Sequence, residues 1–175
     1  MKSRFAAEHG HKKFLKKKTA ENTDAHLLYK SLFSFLRLHV LLNEPLASDF
    51  KVAENQVYSA LKKGRFFNAI DAAAYATGFR FWGKNESTNI PMGASIQFDS
   101  PVTLNIQLPS GLKQKTYLIC NGKSHPLPPG NPIIYEATQP GVYRVEVFLK
   151  ERTPLPRNCP WIISNPIFLR EENYE

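Results

Sequence analysis

Two cysteines, Cys120 and Cys159, are too few to build a disulfide scaffold in 175 residues. A bridge between them is geometrically possible on neighbouring strands, but they are expected as reduced, half-buried thiols, since nothing in the sequence points to an oxidising compartment. No apolar run approaches the roughly 18 to 20 residues that a bilayer crossing requires. The longest candidate, Leu32 to Leu42, is interrupted by Ser34, Arg37 and His39. The start, Met1 to Lys18, carries charge but no apolar segment behind it, so it does not read as an export signal and the expected location is the cytoplasm. Several enzyme signatures are missing: a Gly-rich phosphate loop, a Gly-x-Ser-x-Gly elbow and a Cys-x-x-Cys pair. Internal repeats and low-complexity tracts are missing too.

The residues that are present describe a folding chain. Hydrophobic residues make up 42%, aromatic residues 12% and charged residues 22%, which excludes wholesale disorder, collagen and mucin classes. The net charge of +8 is unevenly placed, because residues 1 to 30 hold eight Lys or Arg against three acids. Lys12, Lys13, Lys16, Lys17 and Lys18 could meet phosphates, but only Phe14 offers a stacking surface among them. A solvated basic lead segment over residues 1–23 is the simpler reading, and nucleic acid is not an expected partner.

From Asp24 to Leu42, Leu27, Leu28, Leu32, Phe35, Leu36 and Val40 fall at helical spacings, with Thr23 or Asp24 as cap. Val52 to Lys63 predicts a second helix, with Ala53, Val57, Ala60 and Leu61 on one side and Gly64 as its stop. Phe66, Phe67 and Ile70 read as strand, and beyond them the chain becomes short β runs between Pro, Gly, Asn and Ser. About eight are clear: Thr77 to Lys84, Ala94 to Phe98, Val102 to Leu108, Thr116 to Asn121, Ile133 to Ala137, Val142 to Leu149, Trp161 to Ser164, and Ile167 to Arg170. Val102, Leu104, Ile106 and Leu108 alternate strictly with Thr103, Asn105 and Gln107, so one face is buried and one wet. The expected fold is mainly β with an α-helical lead: two helices over residues 24–72, then an immunoglobulin-like β-sandwich over residues 73–172, with a boundary near Asp71 to Ala76.

Metal chemistry has two sequence candidates. His9 with His11, and Asp24 with His26, each present two ligand types separated by one residue, which point the same way in an extended strand. Both pairs lie in or beside the Lys-rich segment, with no apolar run ahead of them to form a core strand. A catalytic metal also wants at least three protein ligands plus an open position. His39 is expected near the polar edge of the first helix and His125 in a turn beside Pro126. Asp71, Asp99, Glu136 and Glu146 form no obvious close pair, and Glu146 with Arg144 reads as a solvent-facing couple. Trp82 and Trp161 are candidates for a binding surface, where a flat ring could stack on a sugar; core packing is the competing explanation.

The most specific pattern is near the end: Gln139 to Val147 contains PGVYRVEV, and Pro160 to Ile167 reads PWIISNPI. With LRLHVLLNEPL at Leu36 to Leu46, ALKKGRFFNAID at Ala60 to Asp71 and GFRFW at Gly78 to Trp82, the chain resembles the C-terminal part of bacterial polymerase and histidinol phosphatase (PHP) family metal-dependent phosphoesterase-like proteins. The resemblance covers about residues 30 to 170. It implies that the helices before the sandwich are the last of an α/β barrel, most of whose His, Asp and Glu ligands precede this chain. Asp24 and His26 have the spelling of that barrel's last ligand pair, and His9 with His11 is a rival match lacking the Asp. The implied function is a noncatalytic C-terminal module or remnant that needs no cofactor alone. A zinc, manganese or iron site would arise only if another chain completed it, as in a split enzyme. The implied partner is an upstream PHP barrel or another chain that covers the helices; the alternative is a carbohydrate- or protein-binding sandwich.

Overall fold

A computed structural model describes residues 35–86, 88–150, 155–156 and 158–171. The chain divides into two units, Met1–Phe35 and Leu36–Glu175, and both sheets belong to the second. Twelve strands and one helix are defined among the described residues: β1 (Arg37–Val40), α1 (Phe50–Lys62), β2 (Phe66–Ala69), β3 (Arg80–Lys84), β4 (Asn89–Pro91), β5 (Ser95–Gln97), β6 (Val102–Gln107), β7 (Gln114–Cys120), β8 (Lys123–Pro126), β9 (Ile133–Ala137), β10 (Gly141–Leu149), β11 (Ile162–Ser164) and β12 (Ile167–Arg170). The predominance of strand, in two sheets, agrees with the sandwich-like expectation.

The first sheet runs β1-β2-β11-β10-β12-β5, with β7 on the other side of β10 and β8 beyond β7. The second runs β4-β3-β6-β9. Strand β10 is the hub of the first. Its N-terminal half pairs with β12, its C-terminal half with β11, and Tyr143 to Leu149 along β7. Alternation then decides the core: Tyr143, Val145 and Val147 of β10 and Val102, Leu104 and Ile106 of β6 are buried in one continuous apolar cluster.

Two sequence expectations require correction. The helix over Asp24 to Leu42 does not extend through its last turns, because Arg37–Val40 is strand β1, paired antiparallel with β2 from Arg37↔Ala69 to Val40↔Phe66. A short apolar run fits either period, and here the open edge of β2 supplies hydrogen-bond partners that a helix would have forgone. The expected boundary near Asp71 to Ala76 falls inside the second unit, since β2 also pairs with β11 through Phe67↔Ser164 to Ala69↔Ile162. The helix predicted at Val52 to Lys63 forms as α1, starting two residues earlier because the Asp49 carboxylate accepts the Val52 N–H at 2.9 Å. Gly64 ends it in the left-handed region at φ +66°, and Gly93 packs so closely on this stop that a Cβ on Gly93 would lie 2.1 Å from Lys63 O.

Candidate functional site

Among the described residues a polar cluster is centred on Asp71, two residues beyond the end of β2. Its carboxylate is 4% exposed, so it must be paired. His39 Nε2 donates to Oδ1 at 3.1 Å, the Ala76 amide approaches the same oxygen at 3.4 Å, and the Arg37 guanidinium lies 3.5 Å from Oδ2. Arg37 and His39 reach the same acid because alternate residues of β1 share a face. The imidazole also stacks on Phe67, with centroids 4.6 Å apart and planes 6° from parallel. His39 is therefore a strand residue, not a residue on a helix edge.

The same turn is held from its other side. Trp161 is 1% exposed, its indole Nε1 donates to Ala74 O at 2.8 Å, and the Ile70 amide donates to Trp161 O at 3.0 Å. Residues 71–76 are thus clamped between β1 and the start of β11. Chemically, the carboxylate fixes the Nε2-protonated form of His39. Asp71 is the imidazole's hydrogen-bond partner, and among the described residues no hydroxyl or thiol bonds to the ring. The arrangement is a latch that fastens an edge strand and a turn to the sheet.

The other sequence candidates are scattered. Burial removes Trp161 from any binding surface, because both faces of its ring lie in the core; this corrects its reading as an exposed platform. Trp82 is half-buried on β3, paired with Asn105 and Pro91. His9, His11, Asp24 and His26 lie outside the described residues. Among the described residues there is no group of three or more His, Cys, Asp or Glu able to hold a metal. His125 stands exposed in β8, a strand that the sequence had suggested was a turn. Arg144 and Glu146 do form their couple, at 2.7 Å. Cys120 and Cys159 are free and half-buried, as expected. Among the described residues no helix is long and apolar enough to cross a membrane.

Sequence reasoning named Asp71 but missed its partners, which lie 32 and 34 positions away; the available signal was that Arg37 and His39 share a face if the segment is extended. It also missed a groove lined from both sheets. There, Lys113, Gln114, Lys115 and Thr116 of the β7 region, Lys150 after β10, and the 126–131 connection surround a cavity of about 590 Å³. Asn131 fixes that connection by accepting the Leu108 N–H at 3.0 Å and donating to Leu108 O at 2.9 Å.

Compared with protein-family models, curated proteins and solved structures, the chain matches none of them.

Proposed function

We propose that the chain is a noncatalytic β-sandwich module of a PHP-type metal-dependent phosphoesterase-like protein, serving to pack against a barrel or another chain rather than to turn over substrate. The observation that carries this reading is where the family-like segments lie. PGVYRVEV is the hub strand β10, PWIISNPI supplies Trp161, β11 and most of the approach to β12, and FFNAID supplies β2 and Asp71. These segments meet in one framework and spend their polar groups on holding it together. Large apolar side chains remain exposed beside that framework: Leu36 and Leu38 at β1, and Phe50, Val52 and Tyr58 on α1. Such a surface suits a packing partner.

The immunoglobulin-like form of the sandwich belongs to the same proposal. Tyr143, near the start of β10, donates its hydroxyl at 2.7 Å to Gln139 O, four residues upstream. That is the arrangement of the tyrosine corner found in immunoglobulin-like domains.

The test uses the full chain purified alone, with zinc, manganese and iron measured by elemental analysis and hydrolysis of p-nitrophenyl phosphate followed in the presence of each metal. The expected result is less than stoichiometric metal and no turnover, together with co-purification when a PHP-type barrel lacking its own sandwich is co-expressed. Stoichiometric metal with hydrolysis would overturn the proposal.

A further inference from the structure

The groove beside β7 combines three features. First, its cations are unbalanced. Lys113, Lys115 and Lys150 line it, none of its described lining residues is acidic, and among the described residues none of the three lysines makes an ion pair. Second, two of these cations face each other. The β7–β10 register pairs Leu149 with Gln114 and Phe148 with Lys115, and Lys150 N donates to Lys113 O at 2.9 Å, so Lys150 lies directly across from Lys113. Like charges at cross-strand positions repel; solvent screens these exposed ammonium groups, but no described lining residue supplies the opposite sign. Third, Gln114 Oε1 is buried without a hydrogen-bond partner, while its Nε2 reaches only Pro109 O at 3.5 Å. An orphaned buried amide oxygen in a native fold calls for a specific explanation.

The apolar part of the lining comes from buried Leu108 and Ile133 and from Leu112, Leu127 and Pro128. A cavity of about 590 Å³ lies within the range of small-molecule sites, roughly 300 to 1,000 Å³. One wall is set before any ligand arrives, because Asn131 ties the 126–131 connection to both polar groups of Leu108.

We propose that this groove binds a small organic polyanion: a compact apolar body bearing two or more phosphate or carboxylate groups and at least one hydroxyl or N–H. The anionic groups lie between Lys113, Lys150 and Lys115. Rotation of the Gln114 carboxamide turns its oxygen toward the ligand's donor, giving that oxygen the partner it otherwise lacks. The apolar body rests on Leu112 and Leu127. Phosphate and carboxylate are the two forms of this chemistry, and the number of charges matters more than their source because lysine meets them as a point charge.

The experiment titrates the isotope-labelled full chain with ADP, fructose 1,6-bisphosphate and citrate at low salt, with backbone and glutamine side-chain amide resonances as the readout. The expected result is saturable shifts at Lys113 to Tyr117, Gly130, Asn131, Lys150 and the Gln114 carboxamide with at least one of the three. Lys113→Gln/Lys115→Gln/Lys150→Gln should weaken that binding by about tenfold or more, with the unfolding midpoint unchanged. Gln114→Met should abolish the preference for citrate over tricarballylate, its hydroxyl-free analogue, while keeping the contribution from charge. The proposal is overturned if shifts occur only within the basic residues 1–30, or if the triple variant binds as well as the parent. It is equally overturned if the groove amides respond to a polyglutamate peptide or a single-stranded oligonucleotide but to none of the three small anions.

Discussion

The Asp71 latch and the β7 groove each set a buried polar group against the apolar core, a carboxylate in one and the Gln114 amide flanked by exposed lysines in the other, and the chain treats the two in opposite ways. Around Asp71 both carboxylate oxygens are used, by His39, Ala76 and Arg37, and the indole of Trp161 closes the turn through Ala74. In the groove three exposed lysines have no acid among the described residues, and the buried Gln114 Oε1 has no donor. A satisfied buried network rigidifies a fold, whereas an unsatisfied one is costly unless something else completes it. The difference separates polar residues that serve the framework from polar residues left for an outside molecule.

Breaking the latch should cost most. Trp161→Ala removes a ring that is 1% exposed and leaves Ala74 O without its donor, so a loss of ~3–5 kcal/mol is expected in equilibrium denaturation. A loss below about 1 kcal/mol would show that the turn is not clamped by this ring. Asp71→Ala should cost ~1–3 kcal/mol, since the Ala76 amide and His39 Nε2 both lose their acceptor. Faster hydrogen exchange confined to β1 and residues 71–76 would locate the effect.

Tyr143 lies on the strand that serves both regions, and its titration gives a graded test. Burial holds its phenol above the ordinary tyrosine value, and neighbouring Cys120 pushes in the same direction. The folded protein therefore keeps this proton where the unfolded chain has released it. The associated stability is fully present below about pH 10 and declines as pH rises above that, because the unfolded state then binds fewer protons. Tyr143→Phe should cost ~1 kcal/mol at neutral pH by removing the bond to Gln139 O, and should flatten the alkaline decline. An unchanged slope between pH 9.5 and 11 would assign the decline to other groups.

The smallest effects should come from the groove. Gln114→Met deletes an oxygen that has no partner, so stability should stay level or rise by up to ~1 kcal/mol. Lys115→Gln should change stability by no more than about 0.5 kcal/mol, because the parent lysine is exposed and makes no ion pair among the described residues. A substantial loss in either variant would mean that the groove is part of the framework after all, and the contrast with the latch would disappear.

How much of this was legible beforehand depends on sequence distance. The inward faces of β6 and β10, the helix at α1 and the stop at Gly64 were readable, because each is set by neighbours two to four positions away. Strand β1 was misread as helix because Leu36 and Val40, four apart, continue the helical spacing, while with Leu38 between them they fit a strand equally well. Strands β4 and β8 were not seen at all: Asn89–Pro91 and Lys123–Pro126 carry turn-like residues, and their pairing partners β3 and β7 make them strands. The tryptophans were left open between core and surface, and only packing separated buried Trp161 from half-buried Trp82.

Composition, alternation and turn chemistry alone therefore determined that this chain folds mainly as β strands, and which face of its longest strands turns inward. Those properties are local, because a side chain's direction along a strand repeats every two residues. Tertiary structure decided that Arg37, His39 and Asp71 form one cluster, that Trp161 is a buried clasp, and that Lys113 and Lys150 face each other with no described acid lining the groove between them. Each of these joins residues more than thirty positions apart, and only strand pairing brings such residues together.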